Sequence, residues 1–345
     1  MLETALGHST RPDVTQPGVE APLPTARIIA LGGGTGLAVL LQGMRALHFP
    51  EEGPNGVKDG RLTAVVTVAD DGGSSGDLRR QFNMLAPGDI RNCLLALSDA
   101  DPTLRALFDF RFDGTVGGHS LGNLMLTALT LLEKDFNRGI ERAARLLAVR
   151  GQVLPATADD VELEAEYVDG SRRKGESRIA AARRRIQRIS LLPPGTRALP
   201  QVLEAIAASN LVVIGPGSLY TSLIPVLLVQ GMARAIAASG ARVVVVMNLM
   251  TEPGETDGYS ASDMLIALRE HAPELPIHDV LLNNTALSTE HVRRYAARGA
   301  APIAADVVRI ESLGYRVVGC DLLGDASKAR HHPIKLARAL LNLAA

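Results

Sequence analysis

Several short stretches of the chain combine glycines with hydroxyl, carboxylate or amide side chains. Gly32-Gly33-Gly34-Thr35-Gly36 is the first. Closely spaced backbone amides at the start of a helix, aided by the helix dipole, form an anion site. Two common versions of such a site are excluded by spacing. A dinucleotide fingerprint needs G-x-G-x-x-G/A, but Leu37 and Val39 fall where the third small residue belongs, and no Lys-Ser/Thr follows as a Walker loop requires. A bare tight turn needs fewer glycines, so Gly33, Gly34, Thr35 and Gly36 are candidates for binding phosphate. Gly215-Pro216-Gly217-Ser218-Leu219-Tyr220-Thr221-Ser222 repeats the logic, with Gly217 and Ser218 as candidates and helix capping by Ser218 as the alternative. Two such loops would hold a diphosphate between them.

Asp70-Asp71-Gly72-Gly73-Ser74-Ser75-Gly76 places two carboxylates before a hydroxyl-rich loop. Asp70 and Asp71 suit a divalent cation such as magnesium, or the hydroxyls of a ribose; a solvated turn with a helix cap is the alternative. Ser74 and Ser75 join the phosphate-binding candidates. In Pro87-Gly88-Asp89-Ile90-Arg91-Asn92, Asp89 is the natural helix cap and Asn92 faces the same pocket. In Gly117-Gly118-His119-Ser120-Leu121-Gly122-Asn123, His119 and Asn123 are four apart and so share a helix face, in a functional or a purely structural role. Asn248 is placed to read a base or sugar edge, whereas Glu255 and Asp257 suit the cap of the next helix. Arg330 and Lys335 supply cations for a diphosphate. No other His/Cys cluster supports a zinc site at His331-His332, and Gly217-Ser218-Leu219-Tyr220 fails the G-x-S-x-G pattern at its last position.

These stretches need a scaffold that brings them together. Short apolar runs at 27–31, 62–68, 211–214, 243–247, 280–282 and 316–318 alternate with helical stretches, and helical segments dominate from Ile90 to about Val149. Strands buried on both faces read as continuous apolar runs, and parallel pairing needs helical crossovers. The expected fold is α/β: a three-layer, Rossmann-like, mostly parallel sheet with helices on both faces. Ligands of such sheets bind outside the carboxyl ends of the strands, and the unusual residues cluster there. One segment breaks the pattern. Val161 to Tyr167 alternates apolar residues with glutamates, Asp169-Gly170 reads as a hairpin turn, and 171–188 carries a net charge of +7 with Glu176 its only acid. Residues 152–195 are therefore expected to form a small antiparallel or mixed insert within a single domain spanning 27–345, and 1–26 a floppy, proline-bearing leader.

Composition bounds the function. The chain has 345 residues, 46% of them hydrophobic and 21% charged, a normal globular balance. A net charge of −1, 3% aromatic residues and no Trp argue against nucleic acid as a partner. Two distant cysteines fit a reducing cytoplasm. No apolar run reaches the ~18 residues needed to span a membrane.

Taken together, the motifs at 32–37, 67–76, 87–93, 118–123, 215–222 and 250–256 resemble those of the bacterial gluconeogenesis factor family, also called YvcK-like or CofD-like. The resemblance implies a cytoplasmic, homodimeric regulatory protein that binds UDP-glucose or UDP-N-acetylglucosamine and supports growth and cell shape on gluconeogenic carbon sources. A related branch implies an alternative: a 2-phospho-L-lactate transferase acting on a deazaflavin with magnesium. Family loops match Gly34, Thr35, Gly36, Gly217, Ser218, Asn248, Thr251 and Arg330. The chain departs from the pattern at Met264, where His is expected, at Glu252, where Gln is commoner, and at His332, where Asp is common.

Overall fold

The computed structural model describes residues 26–49, 60–114, 117–324 and 328–344. All but the last residue of the expected leader lies outside them. The strands are β1 Ile28–Gly32, β2 Leu62–Val66, β3 Gln152–Pro155, β4 Glu162–Tyr167, β5 Arg172–Lys174, β6 Ile186–Leu192, β7 Leu211–Ile214, β8 Arg242–Val246, β9 Asp279–Asn283 and β10 Arg316–Cys320. Seven of them form one sheet in the order β10-β9-β8-β7-β1-β2-β3, and every neighbouring pair is parallel.

The apolar runs explain this sheet. Successive side chains point to opposite faces. Ile29, Leu31, Val212, Ile214, Val243 and Val245 enter one core, where the helices Pro200–Ala207, Met232–Ser239 and Ala261–His271 pack. Ile28, Ala30, Leu211, Val213, Val244 and Val246 enter the other, beneath the helices Gly34–His48, Gly88–Ala96 and Pro333–Ala344. Each aliphatic side chain buried in this way contributes roughly 1.5–3 kcal/mol. A strand with no polar face is stable only as the middle of such a sandwich.

Several boundaries differ from the sequence reading. The first helix begins at Gly34, inside the glycine run, and β2 ends at Val66. The helical segments expected over 90–149 are the helices Gly88–Ala96, Pro102–Asp109, Leu121–Glu133 and Phe136–Leu146. Asp101, Ser120 and Asp135 cap the last three by accepting backbone amides. The small antiparallel sheet expected within 152–195 is present but does not begin at its start. Gln152–Pro155 is the edge strand of the large sheet, and the separate antiparallel sheet, ordered β5-β4-β6, starts at Glu162. Part of its basic charge is exposed and paired locally: Arg172 bonds Glu166 at 2.7 Å and Arg184 bonds Asp169 at 2.9 Å.

The topology positions the site. From β1 the chain builds outward through β2 and β3, then crosses to β7 on the other side and continues to β10. The strand order therefore reverses between β1 and β7, and doubly wound sheets bind ligands in the crevice at that switch point.

Candidate functional site

The turns after β1 and β7 meet at this crevice. Gly33 leaves β1 extended, Gly34 turns at φ +64, and the helix Gly34–His48 starts. A Cβ at Gly36 would lie 2.4 Å from the Pro216 carbonyl oxygen, so only glycine lets the two turns touch. Between them opens a cavity of about 360 Å³. Gly33, Gly34, Thr35 and Gly36 line one side, and Gly217 and Ser218 come from the facing turn. Asn248, Thr251 and Arg330 complete this part of the wall.

Several polar groups here are occupied by the protein itself. The Gly34 amide donates to Asp89 Oδ2 at 2.6 Å. Asp89 is thus not the cap of its own helix; it reaches across to brace the first turn. Burial pushes its carboxyl up to about 6, opposed by the Gly34 bond and reinforced by the charge of Asp70. The Asn248 side-chain amide clamps Gly217, accepting from its N–H at 3.1 Å and donating to its carbonyl at 2.9 Å. Its remaining N–H reaches Glu252 Oε1 at 3.2 Å, so Asn248 shapes the loop instead of offering a free edge. Glu255 does not cap the next helix, which Ser260 and Asp263 close with a capping box. It accepts from the Tyr220 amide at 3.1 Å and the Thr221 hydroxyl at 2.8 Å, and so caps the turn Leu219–Leu223. Burial, with the nearby Glu252 charge, pushes its carboxyl up to about 7.

The cations around the cavity differ in part from expectation. Arg330 lines it, but Lys335 is turned away and bonds Asp321 at 2.7 Å. Arg298 and Lys328 line the cavity, as does Tyr295. No motif marks them in the sequence: Tyr295 and Arg298 lie at and just beyond the end of the helix Thr289–Ala296, and Lys328 stands two residues before Arg330. His331 anchors the Arg330 loop. Its imidazole is buried, which pushes it down to about 4 against a hydrogen bond with the Met247 backbone. His332 accepts from the Ile334 and Lys335 amides through Nδ1, at 3.2 and 3.4 Å. It caps the helix Pro333–Ala344 as an aspartate would, which accounts for one departure from the family pattern. Met264 is fully buried in the core and takes no part in the cavity.

The remaining candidates form a neighbouring group that does not line this cavity. Ser74 Oγ accepts from Asn123 Nδ2 at 3.0 Å and bonds His119 Nδ1 at 2.9 Å. His119 precedes the cap Ser120 instead of lying on the helix, so its contact with Asn123's partner comes from the loop and not from helical spacing. Asn92 accepts from Arg91 at 2.6 Å, and a Cβ at Gly88 would lie 2.2 Å from Ser75 Oγ. Asp70 and Asp71 diverge. Asp70 Oδ1 accepts from Gly72, whereas Asp71 Oδ1 accepts from the Ser177 amide, both at 2.9 Å. Among the described residues no three His, Cys, Asp or Glu side chains stand together as a metal-holding group. A magnesium ion at this pair would therefore depend on phosphate and water for most of its ligands.

The small sheet and its helix pack beside this group. The helix Glu176–Ala181 sits against Asp71 and against Gly254, where a Cβ would lie 2.2 Å from the Ala180 carbonyl oxygen. Glu176, the lone acid of the basic run, is pushed up to about 8 by burial and by Asp70, Glu255, Asp71 and Asp89.

Comparison with known proteins agrees with this architecture. The family model described as 2-phospho-L-lactate transferase CofD matches residues 28–323. A gluconeogenesis factor of Halalkalibacterium halodurans is 43% identical over 317 residues, covering 91% of this chain and 95% of that one. A gluconeogenesis factor of Bacillus subtilis is 40% identical over 320 residues, covering 92% and 98%. The crystal structure of a Bacillus halodurans protein of the UPF0052 family superposes with a TM-score of 0.86 at 43% identity, covering 92% of this chain and 99% of that one. Among the described residues no helix is long and apolar enough to cross a membrane.

Proposed function

The chain belongs to the gluconeogenesis factor branch of the CofD family, and on that premise we propose that it is a cytoplasmic regulatory protein whose crevice binds uridine diphosphate sugars. The convergence of the two glycine turns on one cavity, with Arg298, Lys328 and Arg330 around it, carries the reading. A diphosphate needs amide donors and bidentate or point cations, and helix N-termini at a switch point supply the former. The cavity falls in the ~300–1,000 Å³ range of small-molecule sites. Ligand occupancy then reports nucleotide-sugar supply, which links the protein to growth and cell shape on gluconeogenic carbon, and the working form is a homodimer. Isothermal titration with UDP-glucose and UDP-N-acetylglucosamine tests the binding; saturable heat with at least one is expected, and none with either removes the reading.

A second reading, a 2-phospho-L-lactate transferase, is favoured by the family model's description and by the carboxylates of Asp70, Asp71 and Glu176 beside the crevice. Formation of 2-phospholactyl-deazaflavin with release of a nucleoside monophosphate, when purified protein is given magnesium, the deazaflavin and a lactyl-diphosphonucleoside donor, would select it over regulation.

A further inference from the structure

Beside the main cavity lies a second space of about 280 Å³, lined from the carboxyl ends of β8 and β9. The two share Asn248 and Leu249, so they are compartments of one crevice. Their linings differ in kind. The first collects backbone amides, hydroxyls and the three cations. The second is walled mainly by Leu249, Leu282, Leu287, Val292, Pro302 and Ile303, with Asn248, Asn283 and Thr285 at its border, the Thr285 side chain being bonded to Asp321.

The amides at its border are already committed. Asn283 donates to the Thr285 carbonyl at 2.6 Å and accepts from the Leu322 amide at 3.0 Å, while Asn248 holds Gly217. A phosphate or a polyol placed here would lose its water without gaining equivalent hydrogen bonds, a cost of ~1–3 kcal/mol per unpaired polar group. A flat heteroaromatic ring pays no such cost on its faces. Parallel strands lie ~4.8 Å apart, so the step from the β7 turn to the end of β9 is about 10 Å, which matches the reach of a ribose together with its base and exceeds that of a ribose alone.

We propose that this apolar annex receives the nucleobase of the ligand, with Asn248 and Leu249 forming the partition between base and diphosphate. The inference rests on the nucleoside diphosphate reading above and gives the ligand a direction. The diphosphate lies over the turns that follow β1 and β7, the nucleoside crosses β8 toward β9, and the sugar points back toward Ser222 and Glu252.

Two experiments test this direction. Crystals of the full chain soaked with 5-bromo-UDP should give an anomalous bromine peak between Leu249 and Ile303; a peak over Gly33–Gly36 overturns the proposal. In titrations, Ala286→Phe and Ala305→Phe, each at an exposed position lining the annex, should raise Kd for UDP and UDP-glucose at least tenfold and by similar factors. Both variants should leave inorganic pyrophosphate binding within twofold of the parent. Unchanged UDP-glucose affinity in the two variants overturns the direction while leaving the nucleotide reading intact. If the parent protein binds neither UDP nor UDP-glucose, the nucleotide reading fails and takes the annex proposal with it. Circular dichroism identifies a variant that does not fold, in which case the other variant and the bromine position decide.

Discussion

Asn248 holds Gly217 by both of its peptide groups, accepting from the N–H at 3.1 Å and donating to the carbonyl at 2.9 Å. A side chain at the end of β8 thereby sets the conformation of the turn that follows β7, one strand away. Asn248→Ala leaves both Gly217 groups without these partners, and Asn248→Asp points a carboxylate at a carbonyl oxygen. At ~0.5–1.5 kcal/mol per hydrogen bond, the alanine variant should lose about 1–3 kcal/mol in denaturant unfolding. It should also bind UDP-sugars at least tenfold more weakly, and the aspartate variant should be no better.

Gly36 and Gly34 separate two uses of glycine. A Cβ at Gly36 collides with the Pro216 carbonyl oxygen at 2.4 Å, whereas nothing lies within 4 Å of a Cβ at Gly34, which needs glycine only for its φ of +64. Gly36→Ala is expected to push the two turns apart and abolish binding. Gly34→Ala should cost only ~1–2 kcal/mol of stability and keep measurable affinity. Thermal melts paired with titration distinguish the two outcomes.

The cations should divide by place and not by charge. Arg298→Ala and Arg330→Ala are each expected to raise Kd for UDP-glucose at least tenfold, since charge-assisted hydrogen bonds contribute ~1.5–3 kcal/mol. Lys335→Ala, which breaks the exposed pair with Asp321 and a bond to the Leu323 carbonyl, should leave Kd within twofold and stability within ~2 kcal/mol. His332→Asp should preserve the cap of the last helix, whereas His332→Ala loses ~0.5–2 kcal/mol.

Glu255 makes stability depend on pH in a definite direction. Its carboxyl sits at about 7 in the folded chain against an ordinary 4.5. The folded state therefore holds this proton more tightly than the unfolded state, and the group's contribution falls as pH rises from about 4.5 to 7. Glu255→Gln removes this dependence. Relative to the parent, the variant should gain stability between pH 5 and pH 8, by at most about 3 kcal/mol at ~1.4 kcal/mol per unit. An identical pH profile for both proteins in urea unfolding would refute the assignment.

Much of the site was legible because parallel strands advertise themselves. Ile28 to Leu31 and Leu211 to Ile214 are apolar on both faces, and the glycines that follow mark where the chain turns at the carboxyl edge. What the pattern cannot encode is which way a loop side chain faces. Ser74, His119 and Asn123 also follow the glycine-and-hydroxyl rule, yet His119 and Asn123 both bond Ser74 outside the main cavity. Lys328 and Arg298 line it from segments with no special spacing. β3 was missed as part of the large sheet because an edge strand, half exposed in Gln152 and Leu154, lacks the continuous apolar run of its neighbours. Glu176 looked like an interruption in a basic surface, but only the packing of its helix on Asp71 and Gly254 brings it among the carboxylates Asp70, Asp71 and Asp89.

Hydrogen exchange read by mass spectrometry, with and without UDP-N-acetylglucosamine, tests the central claim most directly. Protection is expected to rise together in peptides covering 33–40, 215–222 and 328–332, and to stay unchanged over 102–146. Protection confined to the segments around Ser74 and His119, or no change at the two glycine turns under saturating ligand, would contradict the account.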